Sequence, residues 1–515
     1  MLTSKNYKFR ILIVLSVFFI LFLIISIRLF RIQITKKDFF QIIARQQYVT
    51  EITTRPPRGK IYDRNGNPLA LNSRTQSAFI LPKQWKQKES TLRLLKKRFK
   101  PVYKRLKASP GKHFIWVARN LSKEEEKNIK SLKSPDIHFM EEPQRFYPFS
   151  HTLPLLGCTD VDNNGIEGLE LLYNKTLGGT PTTLRLEKDA RSGLFYFKKT
   201  VKKQGKHGKP LTLTIDNTLQ FLVDEELKAT VEKHEAQGGA AIIIEPRTGE
   251  ILSMASYPHK EESGKVSKHL AITECYELGS IAKTFSALAA LDEGVVEYDE
   301  EIDCEGKVAH IDGFRVENWK SLNISPFWEV VQRSSNVGIA KVTKRLGTKF
   351  YDHLKKLGLG EKTNIEFPGE RSGFVNPPHN WSNPSILVMS FGYEIMATVI
   401  QLARVFSIIA NDGYDVNPTL IKERKAPTVI KRLYKQSSID QIKNILETIG
   451  SARYAIDGYR VMGKTGTARC VVDGKYSNRE HVYSFGGIVE RDDYKRVVIT
   501  FIKKPKSPYL WAAQL

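Results

Sequence analysis

Ala240-Ala241-Ile242-Ile243-Ile244-Glu245-Pro246-Arg247-Thr248-Gly249-Glu250-Ile251-Leu252-Ser253-Met254-Ala255-Ser256 is the stretch that decides the architecture of the larger part of this chain. Residues 240–244 are apolar throughout and too few for a helix of their own, which suits a strand buried on both faces. Pro246 to Gly249 form a turn, and Ile251–Ser256 return as a second strand, giving a hairpin expected at the centre of a sheet. Far downstream, Val482–Val489 and Val497–Ile502 flank Glu490–Tyr494 as another hairpin. The segments between the hairpins carry helical periodicity. Helices inserted between two halves of an antiparallel sheet give an α+β domain. Just upstream, Asp216 stands where it can cap a helix with Leu219, Leu222, Val223, Leu227 and Val231 on one face.

Three short motifs lie in this region. Ser280-Ile281-Ala282-Lys283 follows Gly279 and opens a helical pattern, so that the hydroxyl and the amine, three residues apart, share a face. Serine attacks only when a base takes its proton, and lysine is a base only when burial or a second cation brings its pKa well below ~10.4. Alone, this spacing describes an exposed helix lysine far more often than a catalytic one. Ser334-Ser335-Asn336 comes next. Ser334 is placed to relay a proton and Asn336 to hold a substrate amide, unless these residues simply cap a helix. Lys464-Thr465-Gly466-Thr467 is the third and rarest. On a strand edge, Gly466 lets a ligand approach the backbone, and Lys464 with the threonine hydroxyls suits a carboxylate. The N–H groups of Thr467 and Ser280 suit a developing oxyanion.

The remainder of the chain is organised around a membrane. Residues 11–27 are apolar except for Ser16 and Ser26, and Leu29 and Phe30 extend the run to the ~20 residues that span a bilayer. Lys5, Lys8 and Arg10 precede it and no small-x-small cleavage site follows. The expected layout is a cytoplasmic tail (1–10), an uncleaved signal anchor (11–30), a first extramembrane domain (31–210) and a second (211–515). The Lys- and Gly-rich stretch 201–210 marks the last boundary. In the first domain, Ile61–Tyr62, an Asn65-Gly66 turn and Pro68–Ala70 read as paired strands. Leu92, Leu95, Phe99, Val102 and Leu106 recur at helical spacing in the basic segment Lys83–Lys107, with Pro101 placed to interrupt the helix. Lys plus Arg number 80 against 55 Asp plus Glu, a net charge of +25. With the anchor in place, this charge fits an anionic envelope surface and not nucleic acid. Four scattered cysteines exclude a disulfide scaffold, and no C-x-x-C or H-E-x-x-H motif suggests a metal.

S-x-x-K, S-x-N and K-T-G in this order resemble the penicillin-binding proteins and serine β-lactamases. Arg58-Gly59, Asp63–Gly66 with Leu69-Ala70, Arg145–Pro148, Gly165–Glu170 with Tyr173, Ser334–Gly338, Leu357–Gly369 and Ser390–Tyr393 with Gln401–Ala403 are similar to the class B penicillin-binding proteins over almost the whole chain. Gly157–Asp162 ahead of Gly165–Glu170 looks most like the division-type, septal member. The resemblance implies a transpeptidase domain of antiparallel sheet and helices with a helical subdomain, on an elongated non-catalytic pedestal braced around Arg58 and Glu167. It implies D,D-transpeptidation of peptidoglycan stem peptides without cofactor or metal. Ser280 would be the nucleophile, Lys283 the base, Ser334 and Asn336 catalytic partners, and Lys464, Thr465, Gly466 and Thr467 the substrate-binding strand. β-Lactams, the cell membrane, a polytopic peptidoglycan glycosyltransferase and division proteins are the implied partners, and the inner membrane, with the catalytic domain outside, is the implied location.

Leu278 stands where the family usually has Pro, and Glu394 where it usually has Gly. The chain stops at Leu515, eleven residues past Lys504, where the family usually adds a closing helix. No E-x-x-L-N motif is found. Competing functions are an elongation-type transpeptidase, a D,D-carboxypeptidase or slow β-lactamase, and a β-lactam sensor or division scaffold without turnover. The anchor reading predicts that protein isolated from membranes keeps residues 1–30; N-terminal sequencing that starts beyond Phe30 contradicts it.

Overall fold

The computed structural model describes residues 4–54, 56–82, 85–108, 114–188, 195–261, 263–422 and 431–506. Lys83 at the head of the basic segment and the chain end from residue 507 lie outside the described residues. By contacts the chain falls into two compact units, one of residues 1–57 with 179–208 and one of residues 58–178 with 209–515.

The first unit starts with helix Ser4–Phe30, which runs into a π-turn at Arg31–Thr35. Tyr7–Thr35 is long and apolar enough to cross a membrane, and its apolar side chains are exposed. Helix Lys37–Tyr48 follows, and strand β1 (Val49–Thr54) pairs antiparallel with β6 (Thr182–Lys188), which pairs with β7 (Phe195–Lys203).

In the second unit, β2 (Ile61–Tyr62) and β3 (Pro68–Ile80) form the expected antiparallel pair. Asp63 ties their turn, its Oδ1 accepting the N–H groups of Asn65 and Asn67, while Gly66 takes φ +87°. β3 also pairs with β4 (Ile115–Leu121) and β5 (Ile137–Phe146), and β2 with β8 (Leu211–Thr212). The basic segment forms two helices, Lys88–Arg98 and Lys100–Ala108, which break at Phe99. Pro101 sits in the first turn of the second helix, where a missing N–H costs little. Leu95, Val102 and Leu106 are buried as the periodicity requires.

A five-stranded antiparallel sheet carries the site. Its order is β10 (Ile251–Tyr257), β9 (Gly238–Ile244), β18 (Tyr494–Lys503), β17 (Lys475–Arg491), β16 (Arg460–Val472). The 240–256 hairpin therefore lies at one end of the sheet, with β10 as an edge and not at the centre. Helix Asn217–Lys233 covers that end, and it turns an unexpected face inward: Gln220, Asp224, Leu227 and Val231 are buried while Leu222 is exposed. Gln220 displaces an apolar residue because it satisfies the edge. Its Nε2 donates to Met254 O at 3.0 Å and its Oε1 accepts from Met254 N at 2.8 Å. Asp216 caps this helix as expected, accepting from Thr218 N and Leu219 N.

The opposite face packs on the helical subdomain. Lys283–Glu293 is buried from Lys283 to Asp292, and Val399–Ala410 is buried except at Arg404. Helices Phe327–Gln332, Asn336–Lys344, Lys349–Lys356, Ser385–Ser390 and Gln436–Tyr454 complete this layer. The small strands β11 (Tyr276–Glu277), β14 (Phe374–Val375) and β15 (Ile395–Ala397) form a three-stranded sheet, and β12 (Glu301–Ile311) with β13 (Phe314–Pro326) a long hairpin. One buried cluster joins Ile61, Leu69, Leu155 and Leu169 to Ala240, Ile242 and Ile244.

The brace of the β2–β5 region differs from expectation in its acid. Glu170, not Glu167, is the partner of Arg58 (Nε to Oε2, 2.5 Å), and its other oxygen takes Arg145 Nε at 2.6 Å. Glu167 ends one residue outside the short helix Gly168–Leu172, near Cys158 Sγ. Arg58 further donates to Glu170 O, Asn163 O and Asn174 Oδ1. Removing one member of a buried ionic group strands the others, at a cost of about 3–5 kcal/mol. Glu170→Ala should lose stability of that order in denaturant titration; a loss within ~0.5 kcal/mol, the level of an ordinary surface substitution, contradicts the assignment.

Candidate active site

The nucleophile candidate lies on a 3₁₀ turn, Gly279–Ala282, that leads directly into helix Lys283–Glu293. Three residues per turn bring positions i and i+3 to one side. Lys283 is 1% exposed, and its Nζ donates to Ser334 O at 2.6 Å and Ser334 Oγ at 3.0 Å. No hydrogen bond joins it to Ser280, which is half-buried. Lys464, 3% exposed on β16, also donates to Ser334 Oγ, at 3.2 Å, and to Thr465 O. The Ser334 hydroxyl thus stands between two buried amines, and among the described residues neither amine has a carboxylate partner. Burial first, and then Lys464, push the pKa of Lys283 well below its usual value. Burial, with help from Arg453, brings Lys464 to about 7.

Ser334 occupies the left-handed region at φ +59°, held by its N–H on Val331 O and by Lys283 on its carbonyl. The helix-capping role falls to its neighbour. Ser335 caps Asn336–Lys344, accepting from Gly338 N and donating to Asn318 Oδ1 at 2.9 Å. Ser334 and Asn336 are thereby released from capping. Asn336 Nδ2 donates to Glu317 O at 2.7 Å, which fixes the amide plane and leaves Oδ1 to accept.

Glycines let the nucleophile turn dock on the edge of β16. A Cβ on Gly279 (φ +56°) would stand 2.3 Å from Thr467 O, and one on Gly466 2.6 Å from Leu278 O. The space beside Gly466 is thus filled by the turn that carries Ser280. On the turn's other side, Gly392 O accepts from Leu278 N at 3.1 Å and Gly279 N at 3.3 Å. Leu278, where Pro is usual, makes a bond that Pro could not. β16 pairs with β17 alone in its sheet. The Tyr393 ring meets Tyr476 of β17 edge to face at 5.1 Å. A Cβ on Gly279 would also stand 3.2 Å from Thr467 N, so the Thr467 N–H and C=O both face the Ser280 turn and point away from β17. Lys464, Gly466 and Ala468 are buried on one face, whereas Thr467 is exposed and Thr465 half-buried.

The structure therefore joins Lys283, Ser334 and Lys464 by hydrogen bonds and lays the Ser280 turn against the edge of β16 at Gly466 and Thr467, while Asn336 opens the helix that follows Ser334 and Ser335. The arrangement supplies an amine able to be neutral at ordinary pH, a hydroxyl between two amines, and backbone donors at an open strand edge. This set suits attack by serine on a carbonyl next to a carboxylate. Sequence reasoning missed Asn318, Gly392, Tyr393 and Arg453. The family-like S-F-G-Y stretch signalled Gly392 and Tyr393; Asn318 on β13 and Arg453 in helix Gln436–Tyr454 lie outside every motif. Among the described residues no group of three His, Cys, Asp or Glu is placed to hold a metal.

Residues 239–513 match the penicillin binding protein transpeptidase domain, and residues 53–213 the penicillin-binding protein dimerisation domain. Among curated proteins, the chain is 32% identical to stage V sporulation protein D of Bacillus subtilis, over 98% of this chain and 83% of that protein. It is 31% identical to peptidoglycan D,D-transpeptidase FtsI of Escherichia coli (90% and 81%), and 30% to the probable peptidoglycan D,D-transpeptidase PenA of Neisseria meningitidis (96% and 88%). The fold matches penicillin binding protein 3 of Mycobacterium tuberculosis complexed with aztreonam, with TM-score 0.68 at 22% identity over 90% of this chain and 94% of that one. With both domain models matched in order and relatives 30–32% identical over 90% or more of the chain, the chain belongs to the class B penicillin-binding protein transpeptidases.

Proposed function

We propose that this chain is a membrane-anchored serine D,D-transpeptidase that cross-links peptidoglycan stem peptides through an acyl-enzyme. The observation that carries this reading is the pair of buried amines, Lys283 and Lys464, on either side of the Ser334 hydroxyl, with Lys283 three residues after Ser280. Ser280 Oγ attacks the carbonyl between the two terminal D-alanines, and its proton passes to neutral Lys283. The N–H groups of Ser280 and Thr467 receive the oxyanion. Lys464 and Thr465 hold the terminal carboxylate, and Asn336 orients the peptide. As the C–N bond breaks, the proton returns through Ser334 to the leaving D-alanine amine. An amine of a second stem peptide then takes the acyl group and releases Ser280. A β-lactam follows the same first step, with its ring amide as the bond broken.

The domain layout follows the same reading: tail 1–10, anchor 11–30, non-catalytic pedestal 31–210 and transpeptidase 211–515. The two matched domains, at 53–213 and 239–513, support it. The apolar helix supports a single-pass anchor in the inner membrane with the catalytic domain outside. Stem peptides and β-lactams are its ligands. A polytopic glycosyltransferase and division proteins are its partners, at the septum. The likeness to FtsI and to a sporulation protein supports the septal role.

Fluorescent penicillin should label the wild-type chain at Ser280, located by mass spectrometry of the modified peptide, and Ser280→Ala should not label. Undiminished labelling of Ser280→Ala removes the nucleophile assignment. Lys283→Arg should fold and yet acylate at least roughly a hundredfold more slowly, because guanidinium does not give up its proton; a near-normal rate removes the base assignment. With Lys464 at about 7, its positive form is lost as pH rises through that value. The second-order acylation constant should therefore fall on the alkaline side, and Lys464→Arg, which stays charged, should flatten that limb. An identical alkaline limb in Lys464→Arg argues against Lys464 as the carboxylate-binding cation.

A further inference from the structure

Glu277 lies three residues before Ser280, on β11, and sequence reasoning gave it no role. β11 pairs with β15 (Tyr276 opposite Ala397, Glu277 opposite Met396), so the strand leading into the nucleophile turn is tied to the segment that follows residues 391–394. That loop reaches back to the turn, through Gly392 O to the N–H groups of Leu278 and Gly279. Glu277 Oε1 accepts Glu394 N at 3.0 Å. Glu394 sits at φ +57°, a backbone state costly for a residue with a side chain, and Asn376 Nδ2 holds its carboxylate at 2.6 Å. The strained residue is thus pinned at its backbone by Glu277 and at its side chain by Asn376.

The same oxygen of Glu277 accepts a second bond from the far side of the cleft. Beyond Thr467, β16 runs on to Val472 and turns at Asp473-Gly474 into β17, where the Tyr476 hydroxyl donates to Glu277 Oε1 at 3.0 Å. Tyr476 and Tyr393 meet edge to face at 5.1 Å. The other carboxylate oxygen, Oε2, is buried and has no partner among the described residues. One atom therefore joins the loop that carries the nucleophile turn to the hairpin that carries the Thr467 backbone. A two-stranded ribbon such as the end of β16–β17 is marginal by itself, so its position depends on what holds its tip.

We propose that Glu277 is a positioning residue for acyl transfer: by latching Tyr476 and the Glu394 N–H to one carboxylate oxygen, it sets the spacing of the Ser280 and Thr467 N–H groups that receive the oxyanion. This rests on the transpeptidase reading above. The latch does not touch the substrate carboxylate, so its loss acts on the acylation step and not on encounter. Moving one oxyanion donor out of place forfeits part of the roughly hundredfold or greater effect of removing it.

The test is stopped-flow acylation of the full-length chain in detergent by a chromogenic cephalosporin, which separates the pre-covalent dissociation constant from the acylation rate constant. Tyr476→Phe and Glu277→Ala should each lower the rate constant about tenfold and leave the dissociation constant within about twofold. The double variant should be no slower than the slower single, since both remove one latch. Glu277→Gln keeps an accepting oxygen and should recover to within about threefold of wild type. A Tyr476→Phe chain with the wild-type rate constant overturns the inference, as does a loss confined to the dissociation constant, or a Gln variant as slow as the Ala variant. Tyr476→Phe removes a single hydroxyl near the surface, so it decides the matter even where Glu277→Ala fails to fold. A wild-type chain that does not acylate at all overturns the transpeptidase reading and this inference with it. Acylation of wild type at an undiminished rate in Tyr476→Phe overturns this inference alone.

Discussion

Two lysines share a buried site around one serine hydroxyl with no acid among the described residues to neutralise them, and most of the larger unit serves that arrangement. An ammonium withdrawn from water without a counter-ion is costly, and proteins relieve the cost by letting the group lose its proton. Lys283 is kept dry because it begins a helix buried along almost its whole length. Lys464 is kept dry on the inward face of an edge strand. Ser334 can stand between them only in a left-handed backbone state, which its hydrogen bonds hold in place. Had either lysine been exposed, neither its depressed pKa nor its geometry would persist.

The glycines and the pedestal brace act on a larger scale to the same end. Gly279, Gly392 and Gly466 allow three backbone segments to approach more closely than any side chain permits, so that the nucleophile turn lies against the strand edge. Farther away, Arg58, Arg145 and Glu170 bury three charges in one hydrogen-bonded group. Such a group is no more stabilising than well-packed apolar residues, but loss of any member leaves a buried charge unpaired. The buried cluster that includes Ile61 and Leu69 continues into the residues of β9, so β2 and β3 are fixed to the catalytic sheet by packing.

Much of this was legible in the sequence because the motifs are short, local and chemically explicit. The Ser280, Ser334 and Lys464 motifs named the groups of the cleft, the two hairpins named the sheet, and the Asn65-Gly66 turn named its own strands. What could not be read involves partners far apart in the chain. Gln220 turned inward because β10 is an edge in need of a hydrogen-bonding partner, and strand order is not written in periodicity. Glu170 rather than Glu167 met Arg58 because a short helix starts at Gly168 and turns the two acids apart. Ser335 took the cap because Asn318, seventeen residues earlier, offered it an acceptor. Glu277 and Tyr476 are joined across 199 residues by one bond, a contact that no local pattern signals.

The two unpaired amines also make the protein a proton acceptor whose appetite depends on what occupies it. Between about pH 7 and the ordinary lysine value near 10.4, the unfolded chain binds more protons at Lys464 than the folded one, and the lowered pKa of Lys283 acts in the same direction, so the empty enzyme gains stability as the solution becomes mildly alkaline. An anion seated on Lys464 reverses that preference, because the charged amine then has a partner. Above neutrality an anion that seats there should enter together with a proton drawn from the solvent. The heat of that encounter would then vary with the ionisation enthalpy of the buffer, and anion affinity would be coupled to the pH of the medium.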